Sequence, residues 1–260
     1  MIASKLPRVG TTIFTQMSAL AQQCNALNLS QGFPDFDAPQ ALLEAMARHV
    51  LGGHNQYAPM AGVLALREQI AAQLKRHRGI TCDPDSEITG VPGATEGIYC
   101  AVMASVRAGD EVIVLDPCYD SYEPAIVLAG GRAVHVPLTP HSFRVDWQRV
   151  AAAITPRTRL VMVNSPHNPC GATLSSDDMR QLQSLVEAHN LLVISDEVYE
   201  HLVFDGQQHH SALQFPALRQ RSFVLFSFGK TFSVTGWKTG YCVAPPALTA
   251  LQMPTARTRS

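Results

Sequence analysis

The sequence lacks several features that would define its class at once. Its 260 residues carry a formal net charge of −1 without a block of one sign, so the composition indicates neither a nucleic-acid-binding face nor an acidic tail. No apolar run approaches the roughly 18 residues of a membrane span, and the first residues lack the apolar core of a signal peptide. The six cysteines form no CxxC pair, which argues against a zinc or redox motif. We therefore expect a cytoplasmic protein without nucleic-acid or membrane partners.

The later part of the chain has the pattern of an α/β fold. Apolar runs of strand length alternate with amphipathic stretches of helix length, and their continuous apolar character indicates a sheet covered on both faces. The predicted strands are 87–91, 111–116, 133–138, 159–164, 191–197, 223–228 and 241–244. The predicted helices are 41–51, 63–78, 95–107, 146–154 and 176–189, after an extended N-terminal arm.

Residues suited to ligand chemistry follow the carboxyl ends of these strands. In an open parallel sheet, ligands bind beyond those ends, so we expect the side chains to meet in one crevice. They are the glycine-rich segment 93–97, Tyr119 with Tyr122, Asn168, Asp196 with Tyr199, and Ser227 with Lys230.

This set matches the needs of pyridoxal 5'-phosphate. Lys230 supplies an amine for its aldehyde, and Asp196 supplies a carboxylate that keeps its pyridine nitrogen protonated. Asn168 and Tyr199 can both donate to its phenolic oxygen, and Tyr119 offers an aromatic face to its ring.

The phosphate of the same cofactor also finds donors in the sequence. The backbone N–H groups of Gly93, Ala94 and Thr95 stand at a predicted helix start, which favours an anion. The Ser227 hydroxyl and the Lys238 ammonium complete the predicted phosphate site.

Each of these residues also has a plainer interpretation. Lys230 and Lys238 could be surface lysines, Asp196 a helix N-cap, and Gly93 or Asn168 only part of a turn. The tyrosines could be core aromatics, which is the role we assign to Tyr122. The histidines His201, His209 and His210 lie in a turn-rich segment that we expect at the surface, and we predict no metal site.

Seven motifs, in one order, identify a family resemblance over residues 5–245. They are LSQGFPDFDAP, NQYAP, GATEG, DPCYDSYEPAI, NSPHNPCG, ISDEVYEH and SFGKTFSVTGWKTGY. The chain resembles fold-type-I, class I/II pyridoxal-phosphate aminotransferases, and most of all the branch of methionine aminotransferases and kynurenine or glutamine transaminases. The resemblance implies an aspartate-aminotransferase-like fold with a mostly parallel seven-stranded sheet flanked by helices.

The resemblance also implies roles for individual residues. Lys230 is the lysine that forms the Schiff base, with Asp196 and Tyr199 as its catalytic partners. Tyr57 reaches the phosphate of a neighbouring subunit, so a homodimer is expected. Gly32 binds the substrate through its backbone, together with the side chain of Asn168. The implied reaction moves the amino group of a large neutral or aromatic, methionine-like amino acid to a 2-oxo acid.

The resemblance stops after YCVAPP. We therefore expect an N-terminal arm and substrate-side segment at 1–45, a large cofactor-binding domain at 46–246, and at 247–260 a short tail without helical periodicity in place of the small C-terminal domain. Neither Arg257 nor Arg259 lies in a motif that matches the arginine of the family that binds the substrate carboxylate. Such a tail is typical of a frameshifted reading frame, a fragment or a gene-model error.

Several other functions share parts of this pattern. A β-lyase of the same cofactor family would use the same site, and a shortened chain could bind the cofactor with impaired catalysis. A noncatalytic half of a transcription regulator would need a helix-turn-helix segment, which the first ninety residues do not show. A nicotinamide-dependent oxidoreductase would need GxGxxG after its first strand, and residues 93–97 lack that spacing.

Overall fold

The computed structural model describes residues 3–7, 9–32 and 34–252. The chain divides into two compact units, Met1–His54 and Asn55–Ser260. The division comes later than the predicted end of the arm at residue 45. The assignment of these segments to substrate and cofactor binding stays a prediction.

The first unit contains two helices, α1 (Ile13–Gln23) and α2 (Gln40–Leu51). Helix α1 begins after Thr12, whose side chain accepts a hydrogen bond from the backbone N–H of Thr15. The prediction of an extended arm is therefore wrong over this stretch, whereas α2 confirms the predicted helix 41–51.

The second unit contains the sheet and its covering helices. The helices are α3 (Leu64–Arg78), α4 (Ala94–Ser105), α5 (Tyr122–Leu128), α6 (Trp147–Ala153), α7 (Ser176–His189), α8 (Pro216–Arg219), α9 (Phe228–Thr231) and α10 (Pro246–Gln252). The strands are β1 (Ile88–Val91), β2 (Glu111–Asp116), β3 (Arg132–Pro137), β4 (Thr158–Asn164), β5 (Leu192–Asp196), β6 (Ser222–Ser227) and β7 (Gly240–Val243). The predicted strands and the five predicted helices agree with the observed bounds to within two residues, while α5, α8, α9 and α10 were not predicted.

The strands form one mostly parallel sheet in the order β1-β7-β6-β5-β4-β2-β3. Neighbouring pairs from β6 to β3 are parallel, while β7 runs antiparallel between β1 and β6. The amino end of β7 therefore lies at the same edge of the sheet as the carboxyl ends of the other strands. This edge is where parallel sheets bind ligands.

Alternate residues of each strand pack on opposite faces of the sheet. On β5, Val193 belongs to the apolar cluster that includes α7, and Ile194 belongs to the cluster that includes α4. Both side chains are fully buried, and burial of an aliphatic side chain of this size contributes about 1.5–3 kcal/mol. The continuous apolar pattern of the strands is thus explained by a sheet that is covered on both sides.

The tail residues 247–252 belong to helix α10, so the prediction of a tail without helical order is wrong for this stretch. Leu248 is buried in the cluster that includes α4, and the Gln252 side-chain amide donates to the carbonyl of Gly97 at 3.2 Å. Residues 253–260, with Arg257 and Arg259, lie outside the described residues.

Within the part of the chain that the structure describes, no helix combines the length and the apolar character needed to cross a bilayer.

Candidate cofactor site

Gly240 lies at the centre of a backbone cradle at the ligand-binding edge of the sheet. It pairs with Val91 of β1 on one side and with Ser227 of β6 on the other. A Cβ added to Gly240 would lie 3.2 Å from the backbone nitrogen of Ala94. The absence of a side chain at this position therefore leaves space in front of the first N–H groups of α4.

The residues predicted to hold a phosphate meet at this cradle. Gly93 precedes α4 at φ 85°, a conformation that favours glycine, and no side chain caps the helix. The first N–H groups of an α-helix have no acceptor within the helix, so those of Ala94 and Thr95 are available to an anion. The backbone of Lys238 approaches Gly93 on the opposite side, and the Lys238 side chain is exposed.

Asp196 ends β5 as a buried carboxylate. Its Oδ2 accepts a hydrogen bond of 2.5 Å from the hydroxyl of Tyr122, and its Oδ1 accepts a longer one, 3.4 Å, from the backbone N–H of Val198. Burial raises the pKa of Asp196 to about 6, although the Tyr122 hydrogen bond opposes this shift. The carboxylate is therefore poised for a cationic partner. The interpretation of Asp196 as only a helix N-cap does not hold, because no helix of the described residues begins there.

Lys230 lies in the short helix α9, immediately beyond β6. Ser227 caps this helix by accepting a hydrogen bond from the backbone N–H of Lys230 at 3.4 Å, and the Lys230 Nζ lies 5.3 Å from the centre of the Tyr199 ring. Lys230 is exposed as a residue, but partial desolvation of its amine lowers its pKa, while the Asp196 carboxylate acts in the opposite direction. A larger fraction of this amine is thus uncharged at neutral pH than in a freely solvated lysine.

Asn168 and Tyr199 lie side by side, as the sequence predicted. Their side chains lie close enough for Asn168 to lower the pKa of the Tyr199 hydroxyl against the effect of burial, and the backbone N–H of Asn168 donates to the side-chain oxygen of Asn164 at 2.7 Å. Asn164 in turn donates to the carbonyl of Asp196 at 2.9 Å. This chain of hydrogen bonds fixes the Asn168 turn relative to the end of β5.

Tyr119 and Tyr122 contact each other beyond the end of β2, and each also contacts another residue of the candidate site. Their rings meet edge to face with centroids 5.8 Å apart, and the Tyr119 hydroxyl hydrogen-bonds with the Thr95 side chain. Tyr122, assigned as a core aromatic, is indeed buried, but its hydroxyl contacts the Asp196 carboxylate. Sequence reasoning missed this contact. The contact depends on α5 beginning at Tyr122, which turns the hydroxyl towards β5.

Tyr57 and Gly32 stay predictions as site residues, and the structure gives their exposure. The Tyr57 side chain is fully exposed, and its predicted contact lies across a subunit interface. Gly32 is exposed in the first unit, where a Cβ would meet no atom within 4 Å.

The histidines of segment 201–210 are not all at the surface, which corrects the sequence prediction. The His209 side chain is buried, and its Nε2 lies 2.8 Å from the carboxylate of Glu197. Burial alone would raise the pKa of Glu197, but the His209 charge and hydrogen bond hold it below its usual value. Glu197 also accepts hydrogen bonds from Ser195 and from the backbone of Ala212, so its role is to tie β5 to the following loop.

A cavity of about 610 Å³ borders the cradle at Thr95. Its other lining residues are Pro92, Glu96, Tyr99, Cys100, Ser121, Pro124, Ala125 and Leu128. Neither Lys230 nor Asp196 lines it, so this cavity lies beside the reactive residues rather than around them.

The fold and this arrangement of residues belong to one class of protein. The family model of class I and II aminotransferases matches residues 25–258, and the chain is a member of that family, which uses pyridoxal phosphate. The curated methionine aminotransferase of Escherichia coli (strain K12) is 57% identical over 247 residues, covering 95% of this chain and 64% of that protein.

Solved structures agree with this assignment. The crystal structure of YbdL from Escherichia coli, described as having a methionine aminotransferase function, superposes with a TM-score of 0.94 at 54% identity, covering 99% of this chain and 67% of that one. An aspartate aminotransferase from Thermus thermophilus, solved with maleate, gives a TM-score of 0.90 at 32% identity and covers 98% and 68%. The chain thus has the aspartate-aminotransferase-like fold, and it spans about 64% of the length of the curated methionine aminotransferase.

Proposed function

We propose that this chain binds pyridoxal 5'-phosphate at the crevice between β5 and β6 and belongs to an aminotransferase that acts on methionine-like amino acids. The observation that carries the proposal is geometric: the buried Asp196 carboxylate ends β5, and Lys230 follows the neighbouring strand β6 at the same edge of the sheet, where the two groups interact electrostatically. Burial also raises the pKa of Asp196, partial desolvation lowers that of Lys230, and ionisable groups perturbed in this way are candidates for a functional site.

The residues present fit the cofactor. The cradle at Gly240 offers backbone N–H groups, a hydroxyl and an ammonium to a phosphate, and a side chain at Gly240 would fill it. Asp196 can hold a proton on a pyridine nitrogen, while Asn168 and Tyr199 can donate to a ring oxygen. When bound, the cofactor supplies an aldehyde carbon and an electron sink for the charge left on a substrate α-carbon.

The chain's own groups then account for substrate activation. Lys230 Nζ is the amine that would bond to the aldehyde carbon, because its lowered pKa increases the uncharged fraction. The same nitrogen would be the base that takes the proton from the substrate α-carbon and holds it for its return. Asp196 must stay anionic for this step, and Tyr122 favours that state by donating to it.

We also propose a homodimer in which Tyr57 donates to the phosphate of the neighbouring subunit, which agrees with its full exposure on this chain. A methionine-like donor and a 2-oxo acid acceptor are proposed from the 57% identity to a methionine aminotransferase. Cofactor binding and turnover are separate proposals, because the chain spans less than two thirds of that relative.

The test is to load the purified chain with pyridoxal phosphate, remove the excess by gel filtration, and record its absorption spectrum. We expect a band of lysine-bound cofactor in the wild type and in the matched control Lys75→Ala, and none in Lys230→Ala. Borohydride reduction followed by peptide mass spectrometry should then place the cofactor on Lys230. A folded wild-type chain without such a band would refute the proposal.

Added methionine tests the second proposal. Bleaching of the band together with formation of a 2-oxo acid supports transamination. An S-substituted cysteine, which carries its leaving group on the β-carbon, is the matched second substrate: release of its thiol together with pyruvate would instead identify a β-lyase. A band that does not respond to any amino acid would limit the chain to cofactor binding.

A further inference from the structure

We propose that Asp116, Cys118 and His135 form a binding site for Zn²⁺ that is separate from the cofactor crevice. The site joins the end of β2 and its following loop to the neighbouring edge strand β3. No motif of the sequence indicated it, because His135 is distant from the other two residues along the chain and meets them only through the pairing of β2 with β3.

The three side chains already converge. One ligand atom from each, an Asp116 oxygen, the Cys118 sulfur and an imidazole nitrogen of His135, can be chosen so that all lie within 4.8 Å of one another. The closest pair is His135 Nδ1 and Asp116 Oδ2, which are 2.9 Å apart. Ligands of tetrahedral Zn²⁺ lie about 3.3–3.6 Å apart, given bond lengths of about 2.0–2.3 Å. Small side-chain rotations are therefore enough to enclose the ion.

The chemistry of the ligands favours zinc over a hard cation. A thiolate, an imidazole and a carboxylate are the ligand types that zinc uses in proteins, whereas Ca²⁺ and Mg²⁺ require several oxygen ligands. The thiol must release its proton to solvent as the Zn–S bond forms. Three protein ligands leave the fourth position to water.

A second carboxylate supports the orientation of the histidine. The Nε2 of His135 lies 3.9 Å from Glu123 Oε2, on the side of the ring opposite to Asp116. Metal-binding histidines commonly donate their other ring N–H to a carboxylate, which fixes the ring and its tautomer. The ring therefore has a carboxylate at each of its two nitrogens, with Nδ1 as the proposed ligand and Glu123 near Nε2 but beyond direct hydrogen-bond distance.

The site can be tested with Co²⁺, whose bond to a thiolate gives a charge-transfer absorption that other ligands do not give. We expect the purified chain to bind one Co²⁺ with this absorption and to lose it when one equivalent of Zn²⁺ is added. Cys118→Ser and His135→Gln should lose the signal, and Asp116→Asn should bind at least about 10-fold more weakly. Glu123→Gln should retain the thiolate signal with an affinity reduced about 10-fold.

Matched controls distinguish metal binding by the three proposed ligands from nonspecific attraction of the cation to surface carboxylates. Asp120→Asn removes a carboxylate of the same loop that is not a proposed ligand, and Cys100→Ser removes a partly buried thiol outside the cluster. Both should bind as the wild type does. Equal weakening by Asp120→Asn and Asp116→Asn would overturn the proposal.

A measurement on the wild-type chain tests the site even if the variants fail to fold. One equivalent of Zn²⁺ should slow the alkylation of Cys118 by iodoacetamide at least about 10-fold, without slowing that of Cys24, which is exposed. Alkylation at the same rate with and without Zn²⁺ would show that Cys118 is not a ligand.

Discussion

At the residue scale, the buried carboxylate of Asp196 destabilises the cofactor-free chain whenever it is charged. Its pKa is about 6 in the folded chain, compared with 3.8 for an unperturbed aspartate. The folded state therefore binds this proton more tightly, and its stability falls as the pH rises from 4 through 6. A shift of this size corresponds to at most about 3 kcal/mol at neutral pH.

We expect Asp196→Asn to remove this pH-dependent penalty. The free energy of unfolding of the variant relative to the wild type should increase by about 1–3 kcal/mol between pH 4 and pH 8. Urea denaturation of both cofactor-free proteins at pH 4, 6 and 8 measures this difference. A difference that is the same at the three pH values would contradict the shifted pKa.

Tyr122 should also affect the protonation of Asp196, because it stabilises the charged form of the carboxylate. Its hydroxyl donates to the charged form of Asp196, so Tyr122→Phe should move the pKa of Asp196 above about 6. The pH at which stability declines should then shift upward. Tyr99→Phe, which removes a hydroxyl from an exposed tyrosine of α4, should leave the profile unchanged. An unchanged profile in Tyr122→Phe would show that the hydrogen bond does not hold the charge.

The same contact shows how far the sequence could predict the site. Lys230, Asp196, Asn168 and Tyr199 each follow the end of an apolar strand, and parallel pairing alone brings those ends together. The partner of Asp196 was not predictable in this way. It depends on α5 beginning at Tyr122, and the proline-containing stretch YDSYEP does not fix that start.

At the element scale, β7 determines the shape of the phosphate cradle. A Cβ at Gly240 would lie 2.5 Å from the carbonyl oxygen of Phe226, which is backbone of β6 and cannot rotate away. Gly240→Ala should therefore displace β7 from β6 and destabilise the chain by about 1–3 kcal/mol. It should also weaken the binding of phosphate and of the cofactor.

Thermal denaturation and phosphate titration of Gly240→Ala test this expectation. Gly236→Ala is the matched control, because a Cβ there would meet no atom within 4 Å. If both variants bound phosphate equally, the cradle would not depend on the close approach of these strands.

Helices were predictable only where an apolar face or a cap marks them. Helix α7 has three buried residues on one face and a complete capping box between Ser175 and Asp178, and its bounds were predicted. Helix α1 was not predicted although Thr12 caps its first turn, and like α2 it has no buried residue in the described structure. Helices α8 and α9 are single turns, too short for any periodicity to show.

At the scale of the whole molecule, the proposed homodimer makes a prediction about shared sites. Lys230→Ala loses the covalent bond to the cofactor, and Tyr57→Phe loses the proposed donor from the neighbouring subunit. In a refolded equimolar mixture, each hybrid dimer regains one intact site, so about one quarter of all sites should bind the cofactor tightly. The amplitude of the lysine-bound absorption at limiting cofactor measures this fraction.

The two variants must be refolded together, because only refolding ensures that their subunits exchange. The fraction of tightly binding sites in the mixture must exceed the average of the two variants measured separately. If it only equals that average, Tyr57 does not act across the interface.

The position of β7 also has a consequence for how the chain folds during translation. Within the described sheet, β1 has β7 as its one neighbour, and β7 begins at Gly240 while β1 ends at Val91. At about 5–20 residues per second, the ribosome needs roughly 7–30 s to make the intervening segment. Throughout that interval the glycine-rich turn after β1 is present but has no partner strand. The proposed anion cradle is therefore the last part of the sheet to form, and we expect a nascent chain to bind the phosphate of the proposed cofactor only after nearly all of the sheet has left the ribosome.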